Sequence, residues 1–243
     1  MTDVPLNEIA DRLVAVGGVV GVVLGGSRAR GTHRPDSDYD LGLYYRGSLD
    51  VASLQRLADE VGDEPAELTQ PGGWGPWVDG GGWLTIEGQR VDWIYRDLDR
   101  VRAVWRQCQA GTYEIGFQVG HPLGFYSHAY AGELALARVL ADPTGELAVL
   151  KSETGHYPPL LGDALVRGLW EAEFALRVAG YGAAGADPTY AAGCLFRAVG
   201  VAGQALHGRA HAILAAVGMS SVDIHSTVRD AAALIADVRA AVE

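Results

Sequence analysis

The 243-residue chain is 49% hydrophobic and 20% charged, which is the balance of a globular protein with core enough for one large or two small domains. Its formal net charge of −11 repels phosphate backbones and disfavours a large nucleic-acid partner, and two distant cysteines, Cys108 and Cys194, exclude a disulfide-built scaffold. The apolar run Val14 to Gly26 is too short to span a bilayer and no signal-peptide pattern opens the chain, so a cytoplasmic location is expected.

Leu6, Ile9, Leu13 and Val16 form a helical stripe that Gly17-Gly18 ends. Val19 to Leu24 reads as a buried strand, Ser27 to Arg30 as a short helix, and Asp38 to Tyr45 as a second, alternating strand. Val51 to Val61 is helical, and a loop rich in Gly and Trp runs from Gln70 to Gly82. Trp83 to Ile86 and Arg90 to Tyr95 flank Glu87-Gly88-Gln89 as a hairpin, and Asp97 to Gln109 is helical with Asp97 as its cap.

Beyond Gly111 the periodicity turns helical, over Glu133 to Leu140, Leu165 to Val178, Tyr190 to Val217 and Thr227 to Val242. Asp187-Pro188 opens one of these helices, and Thr227 with Asp230 makes a capping-box-like start for another. The expected fold is α+β. A domain at residues 1–110, a small mixed sheet flanked by helices, precedes a helical domain at 111–243.

The chemistry concentrates between Leu24 and Leu41. Asp38 and Asp40 stand two apart on a strand, so they project together while Tyr39 and Leu41 face the other way. Two such carboxylates repel unless a cation lies between them, and hard oxygen donors favour Mg²⁺ or Mn²⁺, which can in turn hold a polyphosphate. Gly26 lets a backbone approach closely, and the Ser27 hydroxyl with its neighbouring amides can bind anionic oxygens. The segment is neither a Walker A loop, since no Lys precedes Thr32, nor a dinucleotide fingerprint. Arg28, Arg30 and Arg34 make a basic cluster in an acidic protein, and Arg28, nearest the Gly-Ser turn, is the candidate for pairing with phosphate. Asp36 reads as a turn residue.

This pattern, an apolar residue, Gly26-Ser27, about ten residues and then Asp38-x-Asp40, resembles the nucleotidyltransferase superfamily. That superfamily includes DNA polymerase beta, the aminoglycoside and lincosamide nucleotidyltransferases and the minimal nucleotidyltransferases. The resemblance implies a third carboxylate on a later strand, for which Asp92 is placed. It implies two Mg²⁺ ions held by Asp38, Asp40 and Asp92, with Asp92 binding the second ion or helping to deprotonate the acceptor. It implies ATP or another nucleoside triphosphate as co-substrate, bound by Gly26, Ser27 and Arg28. In the antibiotic-modifying members a Glu from the helical domain serves as base. Among Glu133, Glu171 and Glu173, Glu133 is the first choice because its helix is otherwise apolar.

The function so implied is Mg²⁺-dependent transfer of a nucleoside monophosphate, AMP foremost, to a hydroxyl of a small molecule such as an antibiotic. The rivals are transfer to a protein or tRNA, in the manner of toxin–antitoxin enzymes, and a nucleotide-binding module without turnover. Trp74, Trp77 and Trp83 could stack a base or an acceptor ring or merely pack a lid. His207 and His211, four apart on a helix, lack a third ligand for zinc, and His121 and His128, in the interdomain stretch, could reach the acceptor although their sequence surroundings assign them no role.

Overall fold

The computed structural model describes the backbone of residues 4–216 and the side chains of residues 4–210. The expected helix at Thr227 to Val242, its Thr227–Asp230 start, Val217 and the His211 side chain lie outside the described residues.

Helix α1 (Leu6–Leu13) buries Ile9, Ala10 and Leu13, and Gly18, at φ +92°, leads the chain into strand β1 (Val19–Leu24). A short helix, α2 (Gly26–Ala29), a loop and β2 (Tyr39–Tyr45) follow. Helix α3 (Val51–Val61) is capped by Asp50, whose carboxylate accepts from Ser53 N at 3.0 Å. Strands β3 (Gly81–Ile86) and β4 (Gln89–Asp97) form the expected hairpin. Its two-residue turn, Glu87-Gly88, has both residues at positive φ, the geometry that matches strand twist. Helix α4 (Leu98–Gln109) starts under Asp97, whose carboxylate accepts from Asp99 N at 2.9 Å as expected of a cap.

A two-stranded ladder comes next, β5 (Ile115–Gly116) with β6 (Phe125–Tyr126), then helix α5 (Ala129–Leu136), strand β7 (Arg138–Ala141) and helix α6 (Glu146–Thr154). Two expectations change here. The stretch from Glu133 to Leu140 is not one helix: α5 stops at Leu136 and Ala137 turns extended, so that Arg138–Ala141 pairs antiparallel with the free edge of β1. An open edge next to a short apolar segment outweighs that segment's own helical spacing. Likewise Leu165 to Val178 is divided at Gly168 into α7 (Pro159–Arg167) and α8 (Leu169–Ala184), after which α9 runs from Pro188 to Ala216.

The main sheet has the order β3-β4-β2-β1-β7, with β2 and β4 parallel and every other pair antiparallel, so it is mixed as expected. On one face Tyr39, Leu41 and Leu43 of β2 and Val91, Trp93 and Tyr95 of β4 join Val22 and Leu24 in a buried cluster with α1 and α3. Side chains of this size are worth roughly 1.5–3 kcal/mol each when fully buried, so this layer holds the sheet together and leaves the opposite face free for chemistry.

The described residues pack as two compact units: residues 4–106 with 113–156, and residues 107–112 with 157–216. In the second unit Ala172, Ala175, Ala198 and Val201 make a small apolar core between α8 and α9. Gly162 of α7 and Gly208 of α9 let two backbones touch, since a Cβ on Gly162 would stand 2.7 Å from Gly208 O.

Candidate active site

The site lies on the open face of the sheet, where period-2 alternation collects the even-numbered residues of β2 and β4. Asp40 and Asp92 are register partners across the parallel pair, and Trp83 stands opposite Asp92 on β3. Asp38, one residue before β2, is presented by a loop that Arg28 ties down. The Arg28 guanidinium donates to Ser37 O at 2.6 and 3.0 Å and to Asp38 O at 3.1 Å, and it stacks over the Tyr39 ring at 3.7 Å. These bonds give Arg28 the task of fixing the segment that carries Asp38. The cavity arginine is instead Arg30, whose Nε donates to Gly26 O at 3.2 Å. Asp36 lies in the turn, its carbonyl accepting from Arg90, and Arg34 is exposed.

Gly26 sits against Asp40. At φ +62° a Cβ on Gly26 would fall 1.8 Å from Asp40 Oδ2, so only glycine lets this carboxylate lie over the start of α2. A cavity of about 310 Å³ opens beside it. Its floor is Val23, Gly42 and Ile94, and its wall is Gly132, Glu133 and Leu136 of α5. Glu133 thus faces the cavity with Asp40. Both its oxygens are taken by Arg96, which donates from Nε at 2.8 Å and from Nη2 at 3.1 Å. Arg96 is only 7% exposed and also donates to Val78 O and Tyr95 O. Glu171 and Glu173 are in the second unit, where Glu171 pairs with Arg197.

Residues 6–70 match the family model described as a nucleotidyltransferase domain. Over that stretch, about a quarter of its length, the chain is similar to nucleotidyltransferase domains. The match spans Gly26, Ser27, Asp38 and Asp40, while Asp92, Arg96 and Glu133 lie beyond it. A search of curated proteins returns no match. A solved structure of a nucleotidyltransferase-like protein from Exiguobacterium sibiricum aligns over 86% of this chain and 56% of its own, with 9% identity and a TM-score of 0.38. The chain therefore spans little more than half the length of that protein.

The acids gathered on this face repel one another. Burial first, then Asp38 and Glu133, raises the Asp40 carboxyl above its ordinary value, against the pull of Arg30. Asp92 is pushed up to about 6 by burial and then by Asp40 and Asp38, against the pull of Arg90. Among the described residues no three acidic, histidine or cysteine side chains form a closed metal cage. The set nonetheless fits Mg²⁺, which takes one or two carboxylates and completes its shell with water and substrate phosphate.

The repulsion has a pH signature. A carboxyl whose folded-state value lies above its ordinary 3.8 contributes stability below that value and loses it as the pH rises through about 6. Asp92→Asn removes the loss. The metal-free variant is expected to be about 1–2 kcal/mol more stable than wild type near about pH 7.5, after discounting for solvent screening of a half-exposed group, and level with it near about pH 4. Calorimetric melting in EDTA at both pH values measures this, and a variant no more stable than wild type near pH 7.5 would refute it.

Three residues of the site, Arg96, Arg30 and Gly42, were not assigned to it from the sequence. Arg96 shares its face with Asp92, four residues earlier on β4, so period 2 alone could have placed it in the site. Arg30, read only as one of a basic cluster, lines the cavity, as does Gly42, which carries no local signal. The tryptophans part company. Trp77, half-buried, packs on Phe125 with Arg100 over its ring at 4.6 Å. Trp74 and Trp83 stack on each other, with ring centroids 4.6 Å apart.

Proposed function

We propose that the protein is a cytoplasmic enzyme that transfers a nucleoside monophosphate, AMP from ATP, to the hydroxyl of a small molecule. The observation that carries this reading is the in-register Asp40–Asp92 pair with Asp40 laid against the bare Cα of Gly26. Gly26 and Ser27 lie beside the triphosphate, and Arg30 faces it from the cavity rim. The cavity beside Asp40, at the small end of the usual range for ligand pockets, receives the nucleoside. Asp38 and Asp40, with Asp92 able to join them, would hold Mg²⁺, which would supply neutralisation of the charge that builds on the phosphate oxygens.

The acceptor oxygen attacks the α-phosphorus in line, a new P–O bond forms, and the bond to the β-phosphate oxygen breaks to release pyrophosphate. The acceptor's proton passes to Asp92, which stands on β4, across β2 from the strand that leads into Gly26. Glu133 stays paired with Arg96 and shapes the cavity wall. The acidic net charge supports a small, uncharged or cationic acceptor, of which an antibiotic is one example.

The test is incubation with Mg²⁺ and ATP labelled at the α-phosphate, against panels of small hydroxyl compounds, tRNA and protein. Label on a small molecule together with pyrophosphate is the expected result. Label on tRNA or protein would move the acceptor class, and transfer of the γ-phosphate instead would overturn the reaction.

A further inference from the structure

The carboxylate row has two sides. Toward β1 and α5 lies the cavity with Gly26 and Arg30; toward β3, next to Asp92, lies Trp83. Residues directly opposite on antiparallel strands share a face with Cβ atoms about 5 Å apart, so the Trp83 indole stands within one side chain of Asp92. Trp83 is 67% exposed even though it stacks on Trp74, with 20° between the ring planes. Leaving so large an apolar surface in water is costly for a purely packing residue, whereas Trp77, in the loop before β3, is half-buried against Phe125.

The platform is also held in place. Buried Gln118 accepts from Trp77 N and Val78 N, both at 3.0 Å, and donates to Trp74 O at 2.6 Å. Asp79, itself at φ +73°, accepts from Gly72 N and from the Tyr45 hydroxyl, both at 2.9 Å. Trp74 lies over Gly81, where a Cβ would stand 3.0 Å from the indole. A flat aromatic surface fixed in this way binds rings with little ordering cost.

Resting on the reading above, we propose that the exposed face of Trp83 seats the acceptor. The acceptor accordingly carries a planar ring, neutral or cationic, beside the hydroxyl that it presents to Asp92. The negative face of an indole, next to a carboxylate in a protein of net charge −11, disfavours anionic rings.

The probes are 3-(hydroxymethyl)-1-methylpyridinium and its anionic counterpart 3-(hydroxymethyl)benzoate, titrated by saturation-transfer NMR into wild type, Trp83→Ala and Trp83→Phe. Mg²⁺·ATP is titrated separately by calorimetry. The cationic probe is expected to bind wild type, to weaken about tenfold in Trp83→Ala and to recover to within about threefold in Trp83→Phe. The anionic probe binds more weakly than the cationic one, and Mg²⁺·ATP affinity is unchanged in both variants. Equal binding of the cationic probe to wild type and Trp83→Ala, or none to wild type, would overturn the proposal. So would a loss of Mg²⁺·ATP affinity in Trp83→Ala, because the platform would then hold the nucleobase. A wild type that takes the ring probe but not Mg²⁺·ATP would sink nucleotidyl transfer while leaving the ring site in place, so the two failures can be told apart.

Discussion

Gly26→Ala is expected to fold and to lose its nucleotide site. The new Cβ would lie 1.8 Å from Asp40 Oδ2 and 2.9 Å from its Cγ. The obstacle is the end of a short side chain, so the carboxylate swings aside and the backbone keeps its course. Holding alanine at φ +62° costs roughly 1–2 kcal/mol, a few degrees of melting temperature. Displacing a reacting group by about 1 Å costs on the order of a hundredfold in rate. Activity therefore falls far more than stability does. Gly25→Ala is the matched control: its Cβ would meet nothing closer than 3.6 Å and its φ is −105°. Melting curves with pyrophosphate-release rates for both variants measure the contrast. Equal activity losses in the two would show that Gly26 does not act through Asp40.

Arg96→Met is expected to be the most destabilising single change in the site. It strips Glu133 of both its donors and Val78 O of one, on a guanidinium that is 7% exposed. Breaking a buried pair from one side costs about 3–5 kcal/mol, and the 44% exposure of Glu133 puts this case near the lower figure, since water can reach the abandoned carboxylate. The unpaired Glu133 would also add to the negative charge on Asp40, which already feels it. Changing both partners, as Arg96→Met with Glu133→Leu, leaves no orphaned charge and should be less destabilised than Arg96→Met alone. Urea unfolding of the two single variants and the double variant reads this directly; simple additivity would mean that the pair is not coupled.

The Asp row was legible because two independent regularities agreed. Period 2 set Asp38 and Asp40 on one side, and the spacing from Gly26-Ser27 matched a known pattern. Helices α1 and α3 were legible for a similar reason, since their apolar stripes face a layer that exists whatever the rest of the chain does. What the sequence hid depends on distant partners. Strand β7 exists only because β1 has an edge to fill, and Glu133 finds its partner 37 residues away on β4. Gly26 was singled out by the motif, but the contact that demands a glycine there, with Asp40 Oδ2, needed three dimensions. Arg28 was read for its charge, whereas its bonds go to two carbonyls of the loop it anchors.

The central claim is that Asp40, held over Gly26, is part of a metal-dependent nucleotide site. Calorimetric titration of ATP into wild type and Asp40→Asn, each with and without Mg²⁺, tests it most directly. The account predicts saturable binding to wild type that requires Mg²⁺ and is weakened at least about a hundredfold in the variant, as expected when a metal-binding carboxylate is lost. Binding that persists in Asp40→Asn, or that is indifferent to Mg²⁺, would contradict it.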